Sequence, residues 1–190
     1  MMKTNRAAKA TRTAAAAIIS TDTETTEIDV QTEVKERIEN VTQGLPSNCF
    51  SHLSDMALAM TGAQPVSSTG KGNALTICDY VSSMKSEINA SGHYRKDVII
   101  LLCNLWTFFN NNSNNNNKSF KEIIREDLLS FPNSYRKTED VDPSHKWIGT
   151  YNLYRVHLMR FFKWLYSPGI EPDKRACPII MIRLLFCKKG

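Results

Sequence analysis

The chain has 190 residues, of which 42% are hydrophobic and 23% charged, proportions typical of a soluble globular protein. This length allows one ordinary domain with extensions. No stretch approaches the roughly 20 apolar residues that a membrane span requires, so we expect no membrane-spanning helix and no membrane partner. The formal net charge of +5 is modest and uneven, since residues 21–40 hold seven acids against two bases. Basic charge therefore matters only where it is clustered.

The N-terminal part of the chain is predicted to be an extension and linker covering residues 1–74. Residues 1–27 are rich in Ala and Thr with little to bury, so we expect them to be disordered. Residues 28–43 predict a short helix, because their apolar residues recur at helical spacing at Val30, Val34, Ile38 and Val41. A second short apolar patch covers residues 50–60, and the composition of residues 64–73 predicts a linker.

The compact domain, residues 75–168, is predicted to begin near Leu75 with two amphipathic helices. The first is capped by Thr76 and Asp79 and ends at residues 91–92. Its apolar positions follow the i, i+3, i+4, i+7 pattern at Ile77, Tyr80, Val81, Met84 and Ile88. The second covers residues 93–109 and has the broad apolar stripe of a central helix, at Tyr94, Val98, Leu101, Leu102, Leu105 and Phe108.

A third helix follows a run of asparagines. Residues 110–117 predict a low-complexity loop. Ser119 and Glu122 then form the pattern of a capping box ahead of a helix over residues 120–131. Pro132 is expected to end this helix, because proline cannot donate the backbone hydrogen bond that would continue it.

The fourth predicted helix, residues 147–166, separates its side chains by chemistry. At 100° per residue one arc is aromatic and aliphatic, formed by Tyr151, Tyr154, Leu158, Phe161, Phe162 and Leu165. Another arc is polar and basic, formed by Asn152, Arg155, Arg160 and Lys163 and interrupted by Val156 and Met159. This pattern indicates a helix that docks on a core and presents a basic side to a polyanion, the alternative being a surface helix with a solvated basic face.

Four helices with no strand pattern predict an all-α, bundle-like domain.

About 95 residues, half the chain, resemble the N-terminal core-binding domain of archaeal-type tyrosine recombinases, the phage-integrase type. The matching strings are Tyr80…Met84-Lys85…Glu87, Tyr94-Arg95, Phe120-Lys121-Glu122-Ile123, Arg125-Glu126-Asp127, Asp142-Pro143, Lys146-Trp147-Ile148-Gly149-Thr150-Tyr151-Asn152 and Phe161-Phe162-Lys163-Trp164-Leu165-Tyr166. The resemblance implies a four-helix, SAM-like orthogonal bundle that forms one jaw of a clamp around the recombination-site duplex. In that family a separate C-terminal domain cuts the DNA.

The chain departs from the family pattern at three places. Ile124 stands where the family typically has Thr as a helix cap, and Pro132 stands where an apolar helix residue is usual, so the third helix should be short. Residues 169–190 are expected to form an irregular tail. The resemblance ends after Arg175, and residues 176–190 look like what a shifted reading frame or early stop would leave.

The chemistry of the family's catalytic domain is missing from the pattern. His157 and Arg160 match the His-x-x-Arg string of that active site, but they lie on the fourth helix of the wrong domain, so we expect no catalytic role and no enzyme activity. No metal, cofactor or small-molecule signature is present. Of five cysteines, Cys78 and Cys103 lie in apolar patterns and are expected to be buried thiols, which favours a reducing cytoplasm.

Double-stranded DNA is the partner that the resemblance implies, and phosphate contacts would supply most of the affinity. The candidate contacts are Arg95, Lys96, Lys146, Asn152, Arg155, Arg160 and Lys163. In an alternative role Asn152 contacts a base edge. We expect solvated side chains at Lys118, Lys121, Arg136 and Lys137, and core positions for Trp147, Trp164, Phe161 and Phe162.

Two other functions stay open. One alternative to the DNA-binding module is a helical protein-interaction module that pairs with intact recombinase subunits. The other is the N-terminal piece of a split recombinase. Salt-dependent duplex binding separates the DNA-binding module from the interaction module.

Overall fold

The computed structural model describes residues 31–58, 68–112 and 118–178, and all regular structure in these ranges is helical. The chain is therefore all-α, as predicted. Its helices are α1 (31–42), α2 (Ser47–Leu58), α3 (Ser68–Ile88), α4 (Gly92–Asn112), α5 (Arg125–Asn133) and α6 (Trp147–Tyr166), with 3-10 turns at Phe120–Glu122 and Pro172–Lys174. The disorder predicted for residues 1–27 lies outside the described residues.

The chain divides into two units, residues 1–37 and residues 38–190. In the first unit the described residues, 31–37, are helical. In the second unit, α2 packs against both α3 and α4. It buries Cys49, Leu53 and Met56, so the second apolar patch of the sequence is a core helix.

Helix α3 begins at Ser68, seven residues before the predicted start, so the predicted linker is wrong from that residue onward. The predicted cap is also wrong, because Thr76 lies inside the helix and its hydroxyl donates to the Gly72 carbonyl at 2.7 Å. Composition favoured a linker here because of the glycines and serines. In the structure the N-terminal turns of this helix make a long-range polar contact that composition does not show.

That contact is made by Asn73, whose side chain is buried and bonded on both sides. Its Nδ2 donates to the Lys118 carbonyl at 2.9 Å, and its Oδ1 accepts from the Phe120 amide at 2.9 Å. Only 2% of Asn73 is exposed. The amide thus fastens the first turns of α3 to the segment that follows the asparagine run.

The end of α3 also differs from the prediction. The helix ends at Ile88 because Asn89 has a φ of 48°, a left-handed conformation that asparagine tolerates better than most residues. Ile88 is 52% exposed, although it continues the apolar pattern of the helix. Gly92, expected to end this helix, is instead the first residue of α4. A Cβ there would lie 3.2 Å from Leu45 Cδ2, so a larger residue would fit only if this leucine side chain moved slightly.

The predicted third helix is divided in the structure. The capping box of Ser119 and Glu122 is present, but it closes a 3-10 turn, and helix α5 starts only at Arg125. Ile124 supplies no capping oxygen. Its own amide donates to the Asp127 carboxylate at 3.0 Å, which satisfies one donor at the helix start. Pro132 lies buried within α5, which ends one residue later.

Helix α6 has the predicted bounds, and its aromatic arc is in the core. Phe161 and Phe162 are fully buried. The ring of Phe161 makes edge contacts with Tyr80 and Phe120, at centroid distances of 5.2 and 5.1 Å. Trp164 packs against Tyr80, with ring centroids 5.2 Å apart, but it is half-buried and not fully in the core as expected.

The segment after α6 is fastened to the end of α3. The guanidinium of Arg175 donates two hydrogen bonds to the Glu87 carboxylate, at 2.7 and 2.8 Å, and its Nε donates to the Ile170 carbonyl at 2.8 Å. Its side chain is only 8% exposed. Both bonds to Glu87 come from Nη2, so one nitrogen of Arg175 links the segment after α6 to the end of α3.

Replacing Asn73 by Ala should destabilise the fold. The substitution leaves the buried Phe120 amide and the Lys118 carbonyl without their partner, which costs about 1–3 kcal/mol for each buried group left unsatisfied. Urea unfolding would measure the loss. Asn133→Ala, at an exposed asparagine, is the control and should change the unfolding free energy little. Equal effects of the two substitutions would contradict the role given to Asn73.

Candidate nucleic-acid interface

The N-terminus of α6 is built by the loop that precedes it. Asp142 accepts the Trp147 amide at 3.0 Å through Oδ2, and the His145 amide donates to the Asp142 carbonyl at 3.0 Å. This carboxylate caps the helix, since Lys146 at the N-cap position makes no side-chain cap bond. The cap fixes where α6 begins and so where Lys146 stands.

Helix α6 contains no Asp or Glu in its 20 residues. Lys146, Gly149, Leu153 and Arg160 are all exposed. At 100° per residue these four positions fall within an arc of about 60°. We call them the α6 stripe. It places a basic residue at each end, with a glycine and a leucine between them.

Arg160 is held in place by α4. Its Nη1 donates to the Tyr94 hydroxyl at 2.6 Å, and its guanidinium carbon lies 6.0 Å from the centroid of the Tyr94 ring. The Tyr94 ring also packs against His157, with centroids 5.1 Å apart. A guanidinium fixed in this way loses less conformational entropy when its remaining donors bind an anion.

The other predicted contacts are less accessible. Asn152, Arg155 and Lys163 on α6 are half-buried, as are Arg95 and Lys96 on α4. Lys96 also lies 3.3 Å from the Asp97 carboxylate. Of the polar arc of the helical projection, only Arg160 is exposed, and it lies in the α6 stripe.

A surface cleft of about 310 Å³ lies beside the first turn of α6. Its lining is formed by Tyr135, Lys137, Val141, Asp142, Lys146, Trp147 and Thr150. Arg136 extends over the Trp147 ring at 5.5 Å, so this arginine, expected to be solvated, covers an aromatic face while staying exposed. Trp147 is half-buried and packs on Tyr151, at 6.1 Å between centroids.

Sequence reasoning does not single out Tyr94, whose hydroxyl accepts a hydrogen bond from Arg160. The periodicity of its helix explains it as one more apolar position, and its partner Arg160 lies 66 positions later in the chain. The pattern of the sequence contains no signal for a hydroxyl–guanidinium pair at that separation. The Tyr94-Arg95 dipeptide is notable only through the family resemblance.

His157 is 7% exposed, and no hydrogen bond reaches its buried Nδ1. Burial lowers the pKa of this imidazole from its ordinary value of 6.5. The nearby Arg160 charge lowers the pKa further, while Asp97 acts in the opposite direction. The neutral form is therefore favoured in the folded protein, and His157 contributes packing rather than charge to the interface.

The expected buried thiols are present at Cys78 and Cys103. Burial raises the pKa of Cys103 to about 12, which keeps the thiol protonated and unreactive.

Residues 31–58, 68–112 and 118–178 hold no group of three or more His, Cys, Asp or Glu arranged to bind a metal ion. Within these same ranges, every helix is too short or too polar to cross a bilayer.

Comparison of the chain with protein-family models, with curated protein sequences and with solved structures finds no match. The resemblance to core-binding domains therefore rests on the sequence motifs.

Lowering the pH should destabilise the fold through His157. Below about pH 6.5 the unfolded chain takes up a proton at this histidine, while the folded protein, with its lowered pKa, does not. The unfolded state then binds more protons than the folded state. The free energy of unfolding should therefore decrease by up to about 1.4 kcal/mol for each unit by which the pH is lowered, from this one group. Unfolding free energies measured between pH 7 and pH 5 would show the slope.

His157→Gln should flatten that slope, whatever it does to stability at pH 7. His93→Gln, at a side chain that is 79% exposed, is the matched control and should leave most of the slope in place. An unchanged slope in His157→Gln would show that other groups cause the acid sensitivity.

Proposed function

We propose that this chain is a non-catalytic DNA-binding module, related to the core-binding domain of tyrosine recombinases and organised as a SAM-like four-helix bundle, that acts in the cytoplasm in DNA integration or recombination. The observation that carries the proposal is the α6 stripe, which exposes Lys146 and Arg160 on a helix without any acid. The all-α fold and the burial of the aromatic arc agree with it.

The chemistry of the stripe suits phosphate better than a base edge. A lysine ammonium and a guanidinium both donate to phosphate oxygens, and two such charges release condensed counterions when they bind a duplex. The exposed Leu153 and Gly149 between them offer no hydrogen-bonding side chain to a base. We therefore propose a module that supplies affinity and position on the duplex, with little sequence preference of its own.

Pairing with recombinase subunits is a second candidate, favoured by exposed apolar side chains at one corner of the second unit. Ile88 and Ile170 are 52% and 44% exposed and flank the Arg175–Glu87 pair. Apolar residues at such a corner suit a protein surface rather than a polyanion. Loss of this pairing on substitution of Ile88, with DNA binding intact, would distinguish the two interactions.

Neutralising both charges of the stripe should weaken duplex binding. In Lys146→Gln with Arg160→Gln, two phosphate contacts are lost, so the slope of log affinity against log salt should shrink by up to roughly 1.8. Binding to unrelated duplexes should fall by similar factors, because phosphate contacts are independent of sequence. Fluorescence anisotropy at several salt concentrations would measure both effects. We choose these two residues over Arg155 and Lys163, which are half-buried.

The matched control is Lys85→Gln with Lys174→Gln, which changes the net charge equally at exposed residues outside α6. This control should retain most of the affinity and the salt slope. If both double variants lose the same affinity, binding reflects net charge alone. If neither variant loses affinity, the stripe is only a solvated face.

Tyr94→Phe should weaken duplex binding through Arg160. The substitution keeps the ring but removes the hydroxyl that accepts from the guanidinium, so Arg160 must be ordered at the moment of binding. We expect a loss of about two- to tenfold, the worth of one ordinary hydrogen bond. In an Arg160→Gln background the same substitution should have no further effect, as a double-mutant cycle of anisotropy titrations would show.

Tyr166→Phe provides the control for this cycle. It removes a different exposed hydroxyl, which donates to the Lys121 carbonyl at 3.1 Å. Equal losses from Tyr94→Phe in both backgrounds would mean that the hydroxyl acts on the fold and not through Arg160.

A further inference from the structure

Gly149 occupies a position where the fold does not require glycine. It lies in the first turn of α6, has an ordinary helical conformation, and a Cβ built on it would meet nothing within 4 Å. Alanine is more favourable than glycine at an exposed helical position, because glycine loses more backbone freedom on folding. The residue therefore lowers the stability of α6 without relieving a clash or a strained φ.

The surroundings of Gly149 indicate what the missing side chain makes room for. On the α6 stripe it lies between Lys146, one turn before it, and Leu153, one turn after it. Lys146 and Arg160 are separated by 14 residues, or about 21 Å along the helix axis. The glycine thus leaves a low point between Lys146 and Leu153 on the α6 stripe, and both charged residues of the stripe are basic and so complementary to a polyanion.

We propose that the sugar–phosphate backbone of a DNA duplex makes its closest approach to this protein at Gly149. This rests on the proposed DNA-binding function and assigns the point of contact within it. A bare helix backbone lets the partner's backbone come nearer than any side chain would, which is a recognised use of glycine. Lys146 then reaches a phosphate from one side, and Arg160, held by Tyr94, reaches another further along the helix.

Gly149→Ala tests the assignment, because its effects on folding and on binding should have opposite signs. The melting temperature should stay equal or rise by about 1–3 °C. Duplex affinity, measured by anisotropy, should fall about tenfold, which corresponds to about 1.4 kcal/mol and to the loss of one charge-assisted contact. Gly149→Leu should lose more affinity than Gly149→Ala, although neither substitution changes a charge.

Gly72→Ala is the matched control. Gly72 is likewise exposed and helical, in α3, and a Cβ at this residue would also meet nothing within 4 Å. Its replacement should therefore stabilise the fold similarly and leave binding unchanged. A fall in the melting temperature of Gly149→Ala would overturn the inference, since the fold would then need this glycine.

The outcomes also separate this inference from the function on which it rests. If the parent binds DNA, Lys146→Gln with Arg160→Gln weakens binding, and Gly149→Ala and Gly149→Leu bind as the parent does, the inference is wrong and the DNA-binding function stands. If the parent does not bind duplex DNA, both are wrong. A graded loss from Gly to Ala to Leu, with the fold intact, supports both.

Discussion

The burial of the Phe161 ring constrains the rest of the second unit. This residue lies on α6, yet its ring contacts Tyr80 of α3, Phe120 of the 3-10 turn and Phe162 of its own helix, all at centroid distances of 5.1–5.2 Å. Edge-to-face packing of this kind is directional and resists rotation of the helix about its axis. The contacts of Phe161 with α3 and with the 3-10 turn therefore help to set, from within the core, which side of α6 faces solvent.

That constraint links packing to the proposed interface. With Phe161 and Phe162 buried, the α6 stripe is exposed, and Arg160 comes within reach of the Tyr94 hydroxyl. The same arrangement turns His157 into the interior beside Tyr94, which lowers its pKa. A tyrosine that looks like one more apolar position of α4 thus connects the core to the surface.

Helix α6, whose aromatic residues recur most regularly, is the element that the sequence predicts best. The bounds of α6 are confirmed because 20 residues of aromatic periodicity outweigh any local ambiguity. The predicted third helix is wrong because Ile123 and Ile124 continue the apolar pattern across a point where the helical conformation is interrupted. A new helix begins there, and the Asp127 carboxylate caps it. The predicted start of α3 is wrong because the glycines and serines of this segment are typical of a linker. In the structure the segment is helical, and the buried side chain of Asn73 bonds to the carbonyl of Lys118, 45 residues later.

The candidate site was predictable in charge but not in exposure. Helical projection placed Arg155, Arg160 and Lys163 on one arc, yet only Arg160 of these three is exposed in the structure. A projection shows directions around one helix and contains nothing about the neighbours that cover part of it. For the same reason the exposure of Lys146 and Gly149, and the hydroxyl that holds Arg160, follow only from tertiary structure.

The bonds of Asn73 have a consequence for the order of folding. They join residues that are 45 and 47 positions apart, so both ends of that chain segment must meet before either bond forms. Closing a loop of this length lowers the conformational entropy of the chain before any bond across the loop can stabilise it. Contacts between helices that are neighbours in sequence form over shorter separations. Like the contact of Tyr80 with Phe161, these bonds form only once distant parts of the chain have come together. Bonds that form after the folding transition state lengthen the lifetime of the folded state, through a slower unfolding rate, more than they speed folding.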